Sequence, residues 1–181
     1  MATAVKQINL KNGQRAERKL LITVAEWEES LDGTTGTETV REFLGTRTED
    51  SSIEFNPDIQ ESTDILGNNY TDVNKTQPTQ GFDPFLILGG SRLGAYLNDI
   101  RRRNALSELT GAFTIYVITA FVGASGQYEA EKQEECTITY ESMGGDANVN
   151  FPITVHFSNK ITTGTVDKLT PDFAFSADVT I

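Results

Sequence analysis

The sequence predicts a mainly β fold, an antiparallel β-sandwich or barrel with one flanking α-helix. Several segments, such as 151–157 and 173–181, alternate apolar and polar residues with the period of a strand. Short connections rich in Gly and Asn separate the strand-like segments, which is typical of antiparallel sheets. Only 91–106 has apolar residues at helical spacing. With 181 residues and neither an internal repeat nor a long linker, the chain is expected to form one domain over 1–181.

The predicted strands are joined by polar segments. We predict an extended N-terminal arm at 1–18, which is polar and has no clean period, and a loop at 28–39, which has almost nothing to bury. Leu66-Gly67-Asn68-Asn69 is the predicted turn of a polar hairpin formed by 59–65 and 70–76. The other predicted strands lie at 19–27, 40–44, 52–55, 112–122, 127–141, 151–157, 160–166 and 173–181, with at most an edge strand at 79–83.

Segment 91–106 is the predicted helix. Ser91 is a suitable N-cap, because its hydroxyl can accept a hydrogen bond from an early backbone N–H. Gly94 inside the helix costs about 1 kcal/mol relative to Ala, which indicates a close approach at that position. The expected apolar stripe consists of Leu93, Tyr96, Leu97, Ile100 and Ala105.

Two strands carry the most informative face patterns. In 112–122, two faces are expected, one with Phe113, Ile115, Val117 and Phe121 and the other with Tyr116, Ile118 and Val122. In 127–141, Glu129, Glu131 and Glu135 are expected to face away from the apolar residues. Those apolar residues are Tyr128, Ala130, Cys136, Ile138 and Tyr140.

Charge and composition exclude several function classes. The formal net charge of −11 opposes binding to nucleic acid or acidic lipid. A single Cys allows no intrachain disulfide. Residues 1–11 lack the apolar core of a signal peptide, and no run of about 18 apolar residues predicts a membrane span. We therefore expect a protein made in a cytoplasm, with no membrane partner.

Few residues are suited to catalysis. His156 is the one His and Cys136 the one Cys, so neither a catalytic triad nor a metal cluster can be assembled from them. The Gly-rich stretch 88–94 lacks the Lys of a phosphate-binding loop, and it is interpreted as a turn and helix cap. We expect no enzymatic activity, no metal and no cofactor.

Two remaining features favour self-association. The region 53–79 is patterned as strands, yet it is polar on much of both faces and acidic. Segments 19–27 and 112–122, in contrast, have more apolar surface than one core face needs.

Segment 53–84, IEFNPDIQESTDILGNNYTDVNKTQPTQGFDP, resembles the major tail proteins of long, flexible-tailed bacteriophages. Segment 97–104, LNDIRRRN, is similar to the helix of that family. The resemblance covers most of 50–181, and the first 50 residues match only in general pattern. The positions that carry the resemblance are Asp64-Ile65, Gly67, 71–75, 78–80 and 82–84.

The resemblance implies a structural role. It implies a β-sandwich with one flanking helix, related in fold to the tube protein of type VI secretion, whose hexameric rings stack into a tail tube. The lumen would hold the tape measure protein and later conduct DNA without specific binding. The tube would meet the tail terminator and the baseplate or distal tail proteins. The protein would then lie in the virion tail, assembled in the host bacterial cytoplasm.

The resemblance also suggests roles for particular residues. The arm 1–18 and the loop 28–39, or else 45–51, are expected to reach neighbouring subunits. Six copies at −11 each carry −66, so an acidic lumen would repel DNA phosphates over the ~8 Å Debye length. The predicted lumen-facing acids are Glu61, Asp64, Asp72, Glu129, Glu131 and Glu135. The predicted inter-subunit residues are Lys6, Leu10, Leu31, Arg101, Arg102 and Arg103.

The alternative function is a monomeric β-sandwich that binds a carbohydrate or a protein. Such a module is expected to expose aromatic residues on its loops, and 28–39 contains none.

Overall fold

A computed structural model describes residues 8–30, 36–48, 50–74, 77–123 and 126–178. These residues form one α-helix, α1 (Arg92–Arg103), and two 3-10 turns, Arg18–Leu20 and Leu106–Leu109. The strands are β1 (Leu21–Ser30), β2 (Thr37–Phe43), β3 (Ile53–Glu54), β4 (Asp58–Thr63), β5 (Asn69–Asn74), β6 (Thr79–Phe82), β7 (Phe113–Thr119), β8 (Tyr128–Tyr140), β9 (Ile153–His156), β10 (Ile161–Val166) and β11 (Phe175–Ala177). The predicted mainly β class with one flanking helix is confirmed.

The strands form a two-layered sandwich that shares β8. One layer has the order β2-β1-β7-β8-β10-β11, and the other has the order β8-β9-β6-β3. All pairs are antiparallel. Within the described residues the sheet does not close into a barrel. β4 and β5 pair only with each other, as a separate two-stranded sheet.

A β-bulge in β8 lets this strand pass from one layer to the other. Phe113 pairs with Cys136 and Ile115 with Gln133, so two steps along β7 match three along β8. Glu135, inside the bulge, has a φ of 56°. The extra residue inverts the alternation. The predicted single apolar face of 127–141 is therefore wrong: Ala130 belongs to one core cluster, and Cys136 and Ile138 belong to the other.

The main core lies between the two layers and under α1. Its centre is aromatic: Trp27 packs against Tyr96 and Phe113, with ring centroids 6.0 and 6.4 Å away. A second cluster covers the opposite face of β1 and β7, under the chain segment that contains Phe173. The faces predicted for 112–122 are confirmed within β7, since Phe113, Ile115 and Val117 lie in the main core, and Tyr116 and Ile118 in the second. β7 ends at Thr119, so the predicted alternation does not extend to Phe121 and Val122, which are partly exposed and belong to neither cluster.

The helix has the predicted cap and stripe. Ser91 Oγ accepts from the N–H of Gly94 at 3.1 Å, and Leu93, Leu97 and Ile100 are fully buried. α1 ends at Arg103, before the predicted end at 106, because Asn104 adopts the left-handed conformation of a C-terminal cap. The expected close approach at Gly94 is confirmed: a Cβ there would lie 2.9 Å from Ile87 Cδ1.

The predicted loop at 28–39 is wrong at both of its ends. β1 and β2 stay paired out to Ser30 and Thr37, so 28–30 and 37–39 are strand. Antiparallel pairing satisfies the backbone of these polar residues whatever their side chains bury. Residues 31–35 lie outside the described residues. In the predicted arm, described from residue 8, Ile8 forms an isolated bridge with Val122.

Candidate functional site

The hairpin of β4 and β5 stands away from the rest of the molecule. It is paired from Asp58–Asn74 to Thr63–Asn69, which confirms the predicted hairpin. Every residue of both strands is exposed. An isolated two-stranded hairpin is marginally stable in water at best. The monomer therefore presents an element that its own core does not support.

Asp64 organises the turn of this hairpin. Its Oδ1 accepts from the backbone N–H groups of Leu66 at 2.8 Å and Asn68 at 2.9 Å. Its Oδ2 accepts from Asn68 Nδ2 at 2.9 Å and from the Tyr70 hydroxyl at 3.0 Å. These hydrogen bonds, above all those from Asn68, lower the pKa of Asp64 to about 2. The carboxylate thus has a structural task within its own chain, in addition to any charge it gives a lumen.

The two faces of the hairpin differ. Ile59 pairs with Val73 and Glu61 with Thr71, and these four side chains share one face. Gln60 pairs with Asp72 on the opposite face. Glu61 and Asp72, both predicted to face the lumen, therefore lie on opposite sides of the hairpin.

The tip of the hairpin is apolar. Ile65 is fully exposed and Leu66 is 81% exposed. In the part of the chain that the structure describes, the Ile65 N–H has no hydrogen-bond partner.

An apolar groove of about 610 Å³ opens between the layers at the base of the hairpin. Phe55 and Pro78, which flank the hairpin in sequence, form part of its rim. Its walls also include Leu21, Val117 and Ile161. Ile161 is 49% exposed. Because 55–78 connects groove and hairpin directly, both features belong to the same edge of the molecule.

The oxygen of one buried amide in the groove has no hydrogen-bond partner among the described residues. Gln133 lines the groove and is only 5% exposed, yet no hydrogen bond to its Oε1 is found among the described residues. Gln80, also buried, differs: its Oε1 accepts from Thr23 Oγ1 at 2.9 Å, and its Nε2 donates to Ser51 Oγ at 3.1 Å. Most buried polar groups in proteins are paired. The Gln133 oxygen is therefore a buried hydrogen-bond acceptor that the described residues of the monomer leave unsatisfied.

The three predicted acids of β8 are placed differently from one another. Glu131 opens to solvent at the groove. Desolvation by the surrounding protein, with repulsion from Glu129, raises the pKa of its carboxyl. Glu135 sits in the bulge and forms an ion pair with Lys160. No described contact joins these three residues to Glu61, Asp64 or Asp72 of the hairpin.

The arginines at the end of α1 are mostly engaged within the chain. Arg103 pairs with Asp99 at 2.7 Å and with Glu108 at 2.8 Å. Arg101 donates to Asn98 Oδ1 at 3.0 Å. Arg102 is exposed and forms no ion pair within the described residues. Of the other predicted inter-subunit residues, Leu10 is partly exposed, and Lys6 and Leu31 lie outside the described residues.

Arg41 holds the segment that contains Phe173 on the sheet, a role that the sequence does not predict. Its Nε donates to Glu26 at 2.5 Å and its Nη1 to the carbonyl of Phe173 at 2.7 Å. The guanidinium also lies 4.5 Å from the ring centroid of Phe173 and 5.3 Å from that of Tyr116. No local sequence signal joins residues 132 positions apart.

A second unpredicted residue, Glu42, caps α1. Its carboxylate accepts from Ser91 Oγ and from the N–H of Arg92, each at 2.8 Å, and from the N–H of Leu93 at 3.0 Å. An anion at this position complements the helix dipole. Arg92 in turn bonds Glu29 and Glu38, so the helix is tied to the far end of the β1–β2 pair.

His156 and Cys136 lie in ordinary structural surroundings. His156 Nε2 is 2.9 Å from Thr139 Oγ1. Cys136 is fully buried, and burial raises the pKa of its thiol. No group of three His, Cys, Asp or Glu side chains that could hold a metal ion occurs in the described ranges. None of the helices in those ranges has the length and hydrophobicity needed to cross a membrane.

Comparison with known proteins gives a likeness in fold but no match in sequence. No family model matches the sequence. No curated protein matches it. The fold is similar to a chain in a solved structure titled "Cryo-EM structure of the anti-feeding prophage (AFP) baseplate, 6-fold symmetrised". The TM-score is 0.41 and the sequence identity 10%, over 85% of this chain and 97% of that chain.

Proposed function

We propose that this protein is a structural, non-enzymatic subunit of a phage-type tail tube, in which hexameric rings of the chain stack around a lumen that conducts DNA. The observation that carries the proposal is the hairpin Asp58–Asn74, which is exposed on both faces and supported by no other described strand. Such an element needs a neighbour to be stable. The resemblance of 53–84 to phage major tail proteins favours another copy of the chain as that neighbour.

The open sheet edges support the same proposal. β2 pairs with β1 on one side only, and on its other side no described strand is bound. Unpaired strand edges favour association with further strands, and ring closure between subunits removes them. In the proposed tube, edge strands of adjacent subunits pair around the lumen.

The hairpin faces support a smaller set of lumen acids in the proposed tube. A hairpin that lies along the tube wall turns one face to the lumen and the other to a neighbour. The face with Ile59 and Val73 has apolar side chains to bury, so Asp72 on the opposite face is the better lumen residue. Glu61 would then face the neighbouring subunit. Asp64 is left out of this set, because its carboxylate accepts the hydrogen bonds that hold the turn.

Electron microscopy tests the proposal. Purified protein at increasing concentration is examined by negative stain and by size-exclusion chromatography with light scattering. Rings or tubes with six-fold symmetry are the expected result. A particle of 19.9 kDa that stays monodisperse at high concentration would contradict it.

Charge reversal then tests the lumen. Tubes of Asp72→Lys are expected to retain added DNA against nuclease digestion, whereas wild-type tubes release it, because the wild-type lumen repels phosphates. Asp146→Lys, the same charge reversal at an exposed residue outside the hairpin, is the matched control. Equal DNA retention by the two variants would show that Asp72 does not face the lumen.

A second candidate function is a monomeric ligand-binding module. The groove favours it, since 610 Å³ lies within the ~300–1,000 Å³ typical of small-molecule sites and its walls are largely apolar. A monomer that binds a carbohydrate or a peptide in this groove, without forming rings, would establish this candidate instead.

A further inference from the structure

We propose that the hairpin tip of one copy, Ile65 and Leu66, docks in the groove of a second copy, and that this contact is head-to-tail. The inference deepens the proposed function and rests on it in one respect: both require copies of this chain to associate. It adds the two surfaces that meet, the direction of the contact and the residues that form it.

Shape and polarity match between tip and groove. The tip exposes two large apolar side chains, and the groove has apolar walls that include Leu21, Val117 and Ile161. Each surface is unfavourable in water when left alone. Docking removes both from water in a single contact.

The hydrogen-bonding groups match as well. Gln133 Oε1 in the groove lacks a donor, and the Ile65 N–H at the tip lacks an acceptor, among the described residues. An unpartnered buried acceptor is a costly feature that an occupant with an N–H can relieve. The tip carries such an N–H in Ile65.

Geometry makes the contact intermolecular. The hairpin starts at the rim of its own groove, because Phe55 and Pro78 belong to that rim. Six paired residues at about 3.4 Å each place the tip about 20 Å from the rim. Ile65 is fully exposed and Leu66 is 81% exposed, so the tip does not occupy the groove of its own chain, and the groove that it fills belongs to a different copy. The same two patches then repeat from copy to copy, which is a heterologous contact that closes rings or extends filaments.

The hairpin supplies part of an interface between copies. One face about 20 Å long and about 10 Å wide, together with the tip, presents roughly 300 Å². A standard interface buries about 800 Å² on each partner. The docking is therefore one contact within a larger surface, to which the open edge of β2 contributes in the proposed tube.

Disulfide trapping tests the docking. The variant with Leu66→Cys and Ile161→Cys is oxidised and run on a non-reducing gel. Cys136 is buried with a raised thiol pKa, so the two introduced thiols are the reactive ones. We expect a ladder of dimers, trimers and higher species. Each single-Cys variant is the control, and it can give no species larger than a dimer.

Two outcomes would overturn the docking. One is a monomeric band alone when the wild type assembles. The other is a faster-migrating monomer, which indicates that the tip binds the groove of its own chain. Tubes seen by microscopy without a ladder reject the docking but keep the proposed function. A ladder without tubes keeps the docking and rejects the tube.

A second set of variants measures the affinity. Ile65→Asp with Leu66→Asp leaves Asp64 and the turn intact, and both positions are exposed, so the monomer is expected to fold normally. The apparent dissociation constant of self-association should rise by about 100-fold, because two buried side chains are lost from the contact. Met143→Asp is the matched control, an exposed apolar residue outside both surfaces. Equal weakening by both variants would overturn the docking.

The fluorescent probe 8-anilinonaphthalene-1-sulfonate separates a filled groove from a free one. Its fluorescence is expected to be high with the dispersed Ile65→Asp, Leu66→Asp protein and to fall in the assembled wild type, where the groove is occupied. Equal fluorescence in both samples would identify the groove as a ligand pocket and overturn the docking.

Discussion

The sandwich body and the hairpin differ in what holds them in place. β1 and β7 are covered on both faces by the two core clusters, whereas β4 and β5 bury neither face. The body has the core of an independent domain, with Trp27, Phe113 and Ile118 almost fully buried. The hairpin has a well-bonded turn at Asp64 but no core beneath it. The body therefore has the core that it needs to fold alone, whereas in the proposed assembly the hairpin is stabilised by a neighbouring copy.

The largest expected loss of stability comes from a substitution in the sandwich body. Phe113→Ala removes a ring packed against Trp27 and Tyr96 and should lower the free energy of unfolding by about 4 kcal/mol. Guanidinium denaturation followed by Trp27 fluorescence measures it, since this is the chain's one Trp. Val73→Ala in the hairpin is the control and should change the monomer by less than about 0.5 kcal/mol. Similar losses in both variants would mean that the hairpin supports the monomer.

An intermediate effect is expected at the Arg41 clamp. Arg41→Ala removes the stacking on Phe173 and the bond to its carbonyl, and should cost about 2 kcal/mol. The segment that carries Lys168 should also become more sensitive to trypsin. Arg41→Lys keeps the charge near Glu26 but loses the planar guanidinium, so partial recovery is expected. Full recovery would show that the charge alone matters.

Protonation of Asp64 in the hairpin turn is expected to have the smallest effect on the stability of the body. The pKa of Asp64 is about 2, below the ordinary 3.8, because its charged form accepts several hydrogen bonds. A lowered pKa means that the turn gains stability above about pH 4 and loses it as the pH falls through about 2. The amide NMR shifts of Leu66 and Asn68 should report this midpoint without unfolding of the body. Asp64→Asn, which cannot titrate, is the control; a wild-type midpoint near 3.8 would contradict the bonded turn.

Local signals in the sequence were sufficient for much of this fold. The strands at 112–122 and 151–157, the cap at Ser91 and the hairpin turn are specified by residues within a few positions of one another. The bulge was missed because 131–135 reads Glu-Lys-Gln-Glu-Glu, with no apolar residue to mark the extra position. The strand ends at 28–30 and 37–39 were missed because backbone pairing overrides a polar composition.

The candidate site was less accessible to sequence analysis. The acidic hairpin was identified, but the opposite orientation of Glu61 and Asp72 depends on the register of β4 and β5. The groove joins residues from separated segments, including Leu21, Val117 and Gln133, which no short motif connects. The exposed tip was overlooked because Ile65 and Leu66 in a turn look like any apolar residues until their exposure is known.

Hydrogen–deuterium exchange of 58–74 in dispersed and assembled protein tests the central claim most directly. If another copy supports the hairpin, its amides should exchange at least about 10-fold more slowly in the assembled sample, while protected amides of β1 and β7 keep their rates. Unchanged exchange of the hairpin in a sample that microscopy shows to be assembled would contradict the claim that the hairpin serves a neighbouring subunit.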